Sequence, residues 1–433
     1  MKLCSTKDSA LGVSFTEAVR RGIPEDGGLF IPASIPGCPA GFLRSIGALS
    51  FPEISFEVAR TLLGGEIPDA DLGTIVHDAI TFDAPVCRLD EATAVLELFH
   101  GPTLAFKDFG ARFMARVMAY IRRGESGSYT VLVATSGDTG SAVASAFHGV
   151  PGASVVLLYP SGRVSQIQES QLTSLTGNVT ALEIDGTFDD CQRLVREAFA
   201  DRGVASRRSL TSANSINVAR LLPQTFYYFN AFARLPERDR GMVFSVPSGN
   251  LGNLTAGLIA WKMGLPVKQF IAATNANDVF GRYLVTGVYA PADAVTTLSN
   301  AMDVGAPGNL PRIRALFDGD IGALRKEVCT ASCTDDETRE SIAEAFDRYR
   351  YVLDPHGAVG YFALGRYRAG NAGPSTGIIL ETAHPAKFIE VYGAEMRGSI
   401  ETPRRLRDLM EGEKHSVKLP ARFEEVKEFL MEA

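Results

Sequence analysis

From residue 129 onward the sequence alternates between short apolar, β-branched runs and amphipathic stretches, and this alternation limits the folds that the chain can adopt. The runs YTVLVA, SVVLLYP, VTALEID and MVFSVP have the length and composition of buried strands, and each is followed by a segment with helical spacing. Strands that alternate with helices form βαβ units with parallel strands and right-handed crossovers. We therefore predict an α/β protein with parallel-rich open sheets, whose ligands bind beyond the carboxyl ends of the strands.

Three segments are predicted along the chain. Residues 1–95 form an N-terminal domain of mixed character, with helices expected near residues 14–21 and 53–63 and a turn and strand in PEDGGLFIP. Residues 96–235 form a smaller α/β domain, and residues 236–433 form a larger one. A chain of this length buries on the order of 75% of the surface that its unfolded form exposes, so a deep cleft is feasible.

Composition excludes several classes of protein. The net charge of −7 argues against a general nucleic-acid binder. No apolar run reaches the roughly 18 residues needed to span a bilayer, and the N-terminus has neither a signal-peptide core nor an Arg-rich transit pattern, so we expect a cytoplasmic protein with no membrane partner. The cysteines and histidines form no CxxC or HExxH pattern, and although Cys329 and Cys333 are four residues apart, no second ligand pair lies nearby. We expect no metal site.

A single lysine stands in an unusual setting in the stretch LELFHGPTLAFKDFGARFMARVM, residues 96–118. Phe106 and Phe109 flank Lys107, and apolar residues follow at helical spacing. An ammonium among aromatic rings at a helix N-terminus is disfavoured by desolvation and by the helix dipole, so its pKa should fall and the amine should become nucleophilic. Such a lysine forms a Schiff base with an aldehyde cofactor. Local sequence alone also allows a surface lysine whose stem lies on the rings.

Strand-to-helix turns with polar residues occur at three places: TSGDTGSA at 135–142, VPSGNLGNLTAG at 246–257 and ETAHPAKF at 381–388. A helix N-terminus after a glycine turn offers free N–H groups and a positive dipole end, so each turn is a candidate anion site. Each could also be an ordinary helix cap. SGNLGN is not a GxGxxG fingerprint, and the sequence contains no GxxxxGK[ST] loop, which makes a nicotinamide dehydrogenase or a P-loop enzyme a poor fit.

The combination of motifs resembles a known family. HGPTLAFKDFG, ATSGDTGSA, NSINVARL, VPSGNLGNLTAG and TAHPAKF are together similar to the threonine synthases of bacteria and fungi, which are pyridoxal-phosphate enzymes of fold-type II, the tryptophan synthase β group. The similarity runs from SFTEAVRRGIPEDGGLFIP at residues 14–32 to HPAKF at 384–388. SGN and SGDTG loops occur in several related dehydratases and synthases, whereas LFHGPTLAFKDFG and the long N-terminal segment are more specific.

The resemblance implies roles in binding the cofactor, pyridoxal 5′-phosphate. Lys107 would carry it as a Schiff base and would be the catalytic residue, and the hydroxyl of Thr382 would face its pyridine nitrogen. Asp138 would lie beside the cofactor's 3′-oxygen, where more distant relatives carry asparagine. The cofactor phosphate would be held by the SGNLG loop: Ser248, Gly249, Asn250, Leu251 and Gly252. Leu251 stands where many relatives have phenylalanine, which touches packing more than chemistry because backbone N–H groups hold the phosphate.

The resemblance also implies a substrate, O-phospho-L-homoserine, and a reaction in which the γ-phosphate is eliminated and water adds at Cβ to give L-threonine. Its α-carboxylate would bind at the TSGDTG turn, at Ser136, Gly137 and Thr139. Its phosphate would bind a pocket formed by Asn214, Ser215, Asn217 and Arg220, and on a helix beginning near Ser215 the last two would share a face. Arginine suits this role because its planar fork matches phosphate geometry.

Two alternatives remain at this point. A serine/threonine dehydratase or an O-acetylserine-using synthase shares the cofactor but has no need of a second phosphate pocket. A catalytically inactive relative that only binds ligands is the other alternative, although every expected reactive position is filled. For the protein itself we expect a monomer or a homodimer.

Overall fold

The structure, a computed structural model, describes residues 1–125, 127–236, 240–371 and 373–432. The described strands, numbered in chain order, are β1 (Lys2–Ser5), β2 (Val13–Ser14), β3 (Phe30–Pro32), β4 (Val86–Arg88), β5 (Thr93–Glu97), β6 (Tyr129–Ala134), β7 (Ala153–Pro160), β8 (Val179–Asp185), β9 (Ser209–Thr211), β10 (Met242–Pro247), β11 (Val267–Thr274), β12 (Val328–Ser332), β13 (Thr376–Glu381) and β14 (Val417–Pro420).

The described helices are α1 (Phe15–Arg21), α2 (Phe42–Ser45), α3 (Phe51–Leu63), α4 (Asp69–Ala79), α5 (Lys107–Ile121), α6 (Asp138–Phe147), α7 (Gln166–Thr173), α8 (Phe188–Ala200), α9 (Arg202–Arg207), α10 (Val218–Leu221), α11 (Thr225–Arg234), α12 (Gly252–Lys262), α13 (Val279–Thr286), α14 (Leu310–Leu316), α15 (Ile321–Glu327), α16 (Asp335–Tyr349), α17 (Pro355–Gly370), α18 (Ala394–Ser399), α19 (Arg404–Met410) and α20 (Phe423–Glu432). Short 3₁₀ turns lie at Ile46–Ala48, Leu222–Gln224, Asn300–Met302 and Pro385–Val391.

The N-terminal region is a small antiparallel sheet in the order β2-β1-β3 with helices that begin at side-chain caps. The hydroxyl of Ser14 caps α1, and Ser50 and Glu53 form a reciprocal capping box at the start of α3. These caps satisfy backbone N–H groups that a helix start leaves unpaired. Both helices predicted in this region are therefore confirmed, with starts at Phe15 and Phe51.

Two parallel-rich sheets form the rest of the molecule, as the alternation of strands and helices predicted. The larger sheet has the order β12-β11-β10-β13-β5-β4, and within it only the edge pair β4–β5 is antiparallel. The smaller sheet has the order β14-β8-β7-β6-β9 and is parallel throughout. The turns TSGDTG, SGNLG and TAHPAKF leave the carboxyl ends of β6, β10 and β13, which is where such sheets bind ligands.

The sheets do not follow the predicted segment boundaries. Strand β5 crosses the boundary at residue 95 and pairs with β13 in the larger sheet, together with β4 from the N-terminal segment. Near the C-terminus, β14 returns to the smaller sheet and pairs with β8. A boundary drawn along the chain cannot represent this, because each sheet contains strands that are far apart in the sequence.

Helix α5 is buried along most of its length and is held by aromatic contacts from separate parts of the chain. The ring of Phe109 lies 5.8 Å from that of Phe51 in α3 and 5.5 Å from that of Tyr227 in α11, both edge-on. Gly110 allows α5 to approach α10, because a Cβ there would lie 2.6 Å from the carbonyl oxygen of Arg220. These contacts fix the position of Lys107 at the start of the helix.

Among the described helices, none has the length and apolar character to cross a membrane.

Candidate active site

Lys107 is the first residue of α5, and its Nζ lies 5.4 Å from the centroid of the Phe106 ring. The side chain is 16% exposed, and Nζ is 3.4 Å from Oδ2 of Asp138. Burial lowers the pKa of the Lys107 amine; the charge of Asp138 opposes this shift, and the cations of Lys387 and Arg220 reinforce it. The direction is the one predicted from the aromatic neighbours. A lysine in this state can act as a nucleophile and as a proton acceptor.

Asp138 opens α6 and lies between two lysines. Its Oδ1 accepts a hydrogen bond from Nζ of Lys387 at 2.6 Å, and Gln168 is a more distant donor at 3.4 Å. Lys387 is completely buried and also donates to the carbonyl of Thr103 at 3.2 Å. Burial alone would raise the pKa of Asp138, but the charges of Lys387 and Lys107 outweigh it and hold that pKa well below its usual range. Asp138 is therefore a carboxylate in the described site.

Lys387 is a site residue that the sequence analysis did not single out, although it belongs to the TAHPAKF motif. The available signal was its apolar flanks, Ala386 and Phe388, of which Phe388 is aromatic like the neighbours of Lys107. A charged residue is rarely fully buried unless it is paired, so a lysine in an apolar run predicts a partner. The sequence does not indicate that the partner is Asp138, which is 249 positions away.

The TSGDTG turn is organised by Thr135, which also was not singled out. Its hydroxyl oxygen accepts from the N–H groups of Gly137 at 3.0 Å and Gly140 at 2.8 Å, and this curls the chain into α6. Gly137 has φ 135°, a conformation that side chains rarely adopt. Ser136 is exposed and Thr139 is half-buried, so both can reach a ligand at the N-terminus of α6.

The SGNLG loop connects β10 to α12 and presents unpaired backbone donors. Within the described ranges, no hydrogen bond uses the N–H of Gly249, Asn250 or Leu251. A Cβ on Gly249 would lie 2.7 Å from the Cα of Met302, so no side chain fits there. Leu251 has φ 61° and turns the chain into α12, which begins at Gly252. Unpaired N–H groups at the start of a helix form an anion cradle.

Two side chains of this loop are used for support. Ser248 donates its hydroxyl to the carbonyl of Val246 at 2.7 Å and its N–H to the carbonyl of Ala273 at 2.7 Å, so its polar groups hold the loop to the sheet. The amide of Asn250 donates to the hydroxyl of Ser215 at 2.5 Å. This bond connects the SGNLG loop directly with the predicted phosphate pocket.

Thr382 follows β13 and lies next to the start of α5. Its carbonyl accepts from the N–H of Phe106 at 2.9 Å, and its own N–H donates to Oδ2 of Asp354 at 3.3 Å. Ala383 donates to the same carboxylate oxygen at 3.2 Å. Among the described residues its side-chain hydroxyl has no hydrogen-bond partner and remains available to a ligand. The hydrogen bond between Phe106 and Thr382 joins the start of α5 to the end of β13.

Behind Thr382 lies a buried polar layer in which Asp354 also contacts Nδ1 of His356 and receives the N–H of that residue at 2.7 Å. The Nε2 of His356 accepts from the N–H of Ala301 at 3.2 Å, beside the SGNLG loop. Glu381 accepts from the N–H of Asp354, and burial, followed by the charge of Asp354, raises the pKa of Glu381 well above its usual value. This layer supports both the loop and Thr382.

Arg220 is 4% exposed and donates from Nη1 to the carbonyl of Ala213 at 2.6 Å. Its Nε is buried and has no partner in the described part of the chain. Burial lowers the pKa of the guanidinium to about 10, so it stays charged at neutral pH. A buried donor without a partner costs free energy, which an anion would recover. Asn214 and Ser215 are half-buried alongside it.

Asn217 makes contacts in this pocket that the sequence did not indicate. It is completely buried, its Oδ1 caps α10 by accepting from the N–H of Ala219 at 3.0 Å, and its Nδ2 donates to the carbonyl of Val19 at 3.2 Å. Helix α10 begins at Val218, not near Ser215 as predicted, because Asn217 is its cap. These contacts position Arg220 and use one of the two N–H donors of the Asn217 amide.

Arg312 of α14 is a further residue that the sequence did not indicate. It is fully buried and donates to the carbonyls of Phe30 at 2.9 Å, Ser215 at 3.2 Å and Ile216 at 2.5 Å. Its Nη1 also donates to Oδ1 of Asn309 at 2.7 Å. It therefore joins the N-terminal sheet to the turn that carries Ser215. The sequence LPRIRAL does not distinguish Arg312 from the exposed Arg314, so it gives no signal for this role.

Matches to family models cover almost the whole chain. Residues 84–411 match the model described as pyridoxal-phosphate dependent enzyme, and residues 2–80 match the one described as threonine synthase N terminus. Among curated proteins, the threonine synthase of Serratia marcescens is 44% identical over 432 residues, which is 100% of this chain and 99% of that protein. The threonine synthase of Saccharomyces cerevisiae is 37% identical and covers 89% of this chain and 87% of its own length.

Solved structures give the same result. A crystal structure of threonine synthase from Escherichia coli superimposes with a TM-score of 0.91 at 44% identity, covering 100% of this chain and 99% of its own. The X-ray structure of pyridoxal-phosphate-bound threonine synthase from Brucella melitensis has a TM-score of 0.93 at 37% identity, with 100% and 99% coverage. The fold-type II architecture predicted from the sequence is confirmed.

Proposed function

The chain belongs to the threonine synthase family of pyridoxal-phosphate-dependent enzymes, and from this membership we propose how its site works. It is a pyridoxal-phosphate-dependent lyase of threonine biosynthesis. We propose that the substrate is O-phospho-L-homoserine, which reacts with water to give L-threonine and phosphate. The observation that carries the choice of substrate is Arg220, a buried guanidinium outside the SGNLG loop whose Nε has no partner among the described residues.

The residues present fit the cofactor. The N–H groups of residues 249–251, which have no partner in the described part of the chain, would hold its phosphate at the start of α12, and the hydroxyl of Thr382 would donate to its pyridine nitrogen. Lys107, whose pKa is lowered by burial, would be the amine that bonds to it. When bound, pyridoxal phosphate supplies an aldehyde that condenses with amines and a ring that withdraws electrons from the substrate Cα.

Substrate would be oriented by its two anionic ends. Its carboxylate would lie at the N-terminus of α6, near Ser136, Gly137 and Thr139, where a helix end and free hydroxyls favour an anion. Its phosphate would lie against Arg220, with the half-buried Asn214 and Ser215 alongside. Two dianionic phosphates repel one another unless each has its own donors. The N–H groups of the SGNLG loop and the guanidinium of Arg220 would supply the two sets of donors.

Lys107 would then move the protons of the reaction. Once it is released from the cofactor, its neutral amine would take the proton from Cα, because Nζ lies at the junction of the α5, α6 and TAHPAKF segments. The same amine would serve at Cβ as the γ-phosphate leaves and water adds. Arg220 would stabilise the departing phosphate, whose charge grows as its bond to Cγ breaks.

A product assay tests the proposal directly. Purified protein with added pyridoxal phosphate is incubated with O-phospho-L-homoserine, and L-threonine and inorganic phosphate are measured separately. We expect the two products in equal amounts. A protein that releases no phosphate but converts L-serine or L-threonine to a 2-oxo acid and ammonia would instead be a dehydratase, and the proposed substrate would be wrong.

Assignment of the cofactor lysine needs its own test. Borohydride treatment of the loaded protein, followed by peptide mass spectrometry, should place the reduced adduct on Lys107. Lys107→Ala should lose the visible absorbance, the adduct and the activity together. An active Lys107→Ala variant with an adduct on another lysine would refute the assignment.

A further inference from the structure

Two buried lysines share one carboxylate at the centre of the site. Lys387 contacts Oδ1 of Asp138 at 2.6 Å, whereas Lys107 is 3.4 Å from Oδ2. The Lys387 side chain is fully buried, and it also donates to the carbonyl of Thr103 at 3.2 Å. Only Lys107 has an assigned role in the proposed reaction, so the function of the second lysine is open.

The geometry distinguishes the two amines. A charged ammonium in a buried site needs short hydrogen bonds to an anion and to carbonyl groups, and Lys387 has both. Lys107 has one long contact with Asp138 and is partly exposed towards the site. One carboxylate balances only one of these two lysines. Lys387 is therefore the charged partner of Asp138, and Lys107 is left as the free amine.

We propose that Lys387 is a positioning residue that neutralises Asp138 and thereby keeps Lys107 an uncharged, nucleophilic amine. The proposal rests on the proposed function only in taking Lys107 as the cofactor lysine. Without Lys387, Asp138 would have Lys107 as its nearest cation and would hold it in the charged, unreactive form.

Other charged groups face this cluster from each neighbouring element, but among the described residues only Lys387 and Lys107 form ion pairs with Asp138. On α10, Arg220 acts on Lys107, but its Nη1 is committed to the carbonyl of Ala213. On α17, His356 acts on Asp138 through space while its ring contacts Asp354. On α5, the carboxyl of Asp108 accepts from the N–H and hydroxyl of Thr103 at 2.8 and 2.7 Å. On α7, Gln168 is a neutral donor to Asp138.

The apoprotein provides a direct readout, because the inference concerns the basicity of Lys107 before any cofactor binds. Trace acetylation with acetic anhydride from about pH 6 to about pH 10, followed by mass spectrometry of the peptide with Lys107, gives the midpoint at which its amine becomes reactive. Lys387→Met keeps the length of the side chain and removes its charge. We expect the midpoint to rise by about one pH unit or more.

Three further variants separate charge from packing. Lys387→Arg retains the cation and should keep the midpoint nearer to that of the wild type than Lys387→Met does. Asp138→Asn should lower the midpoint, since the attraction that favours the Lys107 ammonium is lost. The double variant Lys387→Met with Asp138→Asn removes both charges and should return towards the wild-type value, a rescue that a purely structural role would not produce.

The acetylation midpoints of these variants either support the proposal or overturn it. A folded Lys387→Met apoprotein, checked by near-UV circular dichroism, with an unchanged Lys107 midpoint would overturn the proposal. If that variant does not fold, Asp138→Asn and the double variant decide, because the proposal requires a lower midpoint in the former and a near-normal one in the latter. Failure of the phosphate-release assay would refute the proposed substrate without affecting the acetylation midpoints.

Discussion

Lys107 shows how burial can convert an ordinary side chain into a reactive one. Its surroundings contain the carboxylate of Asp138, yet the pKa of the amine is lowered, because burial dominates and Lys387 and Arg220 oppose protonation. A lysine on the protein surface would be almost wholly protonated at neutral pH. The charge of Lys387 therefore adds to the effect of burial in lowering the pKa of the Lys107 amine.

Arg220 should matter to the substrate and not to the cofactor. Charge-assisted contacts to phosphate contribute about 1.5–3 kcal/mol, so Arg220→Ala should lower kcat/KM for O-phospho-L-homoserine at least ~10-fold. The affinity for pyridoxal phosphate should barely change, because its phosphate would lie in the SGNLG loop. Steady-state kinetics and a cofactor titration on the same variant provide the measurement.

Arg220→Lys is the matched control for this prediction. It retains the charge but loses the planar fork, so its kcat/KM should fall between those of Arg220→Ala and the wild type. Normal kinetics in Arg220→Ala, or a cofactor-binding defect that accounts for the whole loss, would contradict the assignment of this pocket.

Thr382 should be required for turnover more than for cofactor binding. Thr382→Val keeps the shape of the side chain and removes the hydroxyl, leaving the pyridine nitrogen of the cofactor without a donor. We expect the variant to bind pyridoxal phosphate and to lose most of its activity, whereas Thr382→Ser, which restores a hydroxyl, should recover much of it. Equal activity in the Val and Ser variants would show that the hydroxyl has no such role.

Which residues the sequence could identify depended on whether their partners were local. Lys107 was noticed because its aromatic neighbours are adjacent in the chain, but its proposed role came from the resemblance of several motifs to a known family. Lys387 was not, since its partner Asp138 is distant in sequence. Asn217 was interpreted as a ligand-binding residue, but its amide is used to cap α10 and to contact Val19, a tertiary contact that a motif does not reveal.

At the scale of elements, strands and turns were predicted more reliably than the details of helix starts. Strands β6, β8 and β10 match the runs YTVLVA, VTALEID and MVFSVP. The helical stretch expected from residue 215 is instead divided into α10, a 3₁₀ turn and α11, with Pro223 in the 3₁₀ turn. A strand is defined by its own apolar run, whereas a helix start depends on caps that compete along the chain.

Glu381, the last residue of β13, should make stability depend on pH. Burial raises the pKa of the Glu381 carboxyl well above 4.5 in the folded protein. The protonated carboxyl therefore contributes to the free energy of unfolding at low pH, and this contribution is lost as pH rises towards the folded-state pKa. The loss is up to ~1.4 kcal/mol per pH unit. In Glu381→Gln this loss is absent, since the amide stays neutral. Urea unfolding should therefore increasingly favour the variant over the wild type from about pH 5 to about pH 8.

The control for this experiment is Glu25→Gln, because the side chain of Glu25 is 93% exposed. The difference in free energy of unfolding between Glu25→Gln and the wild type should stay nearly constant over the same pH range. If the difference in free energy of unfolding between Glu381→Gln and the wild type also stays constant, Glu381 is ionised in the folded protein.

For the whole molecule, the sequence predicted the fold class and the presence of two parallel-rich sheets, but not which strands each sheet contains. Strands β4 and β5 belong with β13, and β14 belongs with β8. Pairing partners are chosen by tertiary packing, which local periodicity does not encode. The site consequently depends on contacts between segments that are far apart along the chain.

Arg312 donates hydrogen bonds to several segments that are far apart along the chain, so its replacement should disturb the whole site. It donates to Phe30 in the N-terminal sheet, to the turn at residues 215–216 and to Asn309, whose Nδ2 in turn donates to the carbonyl of Asn250 at 2.9 Å. Arg312→Met would leave buried carbonyls without donors, so we expect a destabilisation of about 3–5 kcal/mol. Unlike Arg220→Ala, it should weaken cofactor binding as well as substrate binding, because both loops lose support.

Arg314→Met is the control, since Arg314 is an exposed neighbour on α14, and it should change neither stability nor cofactor binding. Urea unfolding midpoints and cofactor titrations measure both effects, and an Arg312→Met protein with wild-type values would show that the N-terminal region does not support the site through this residue.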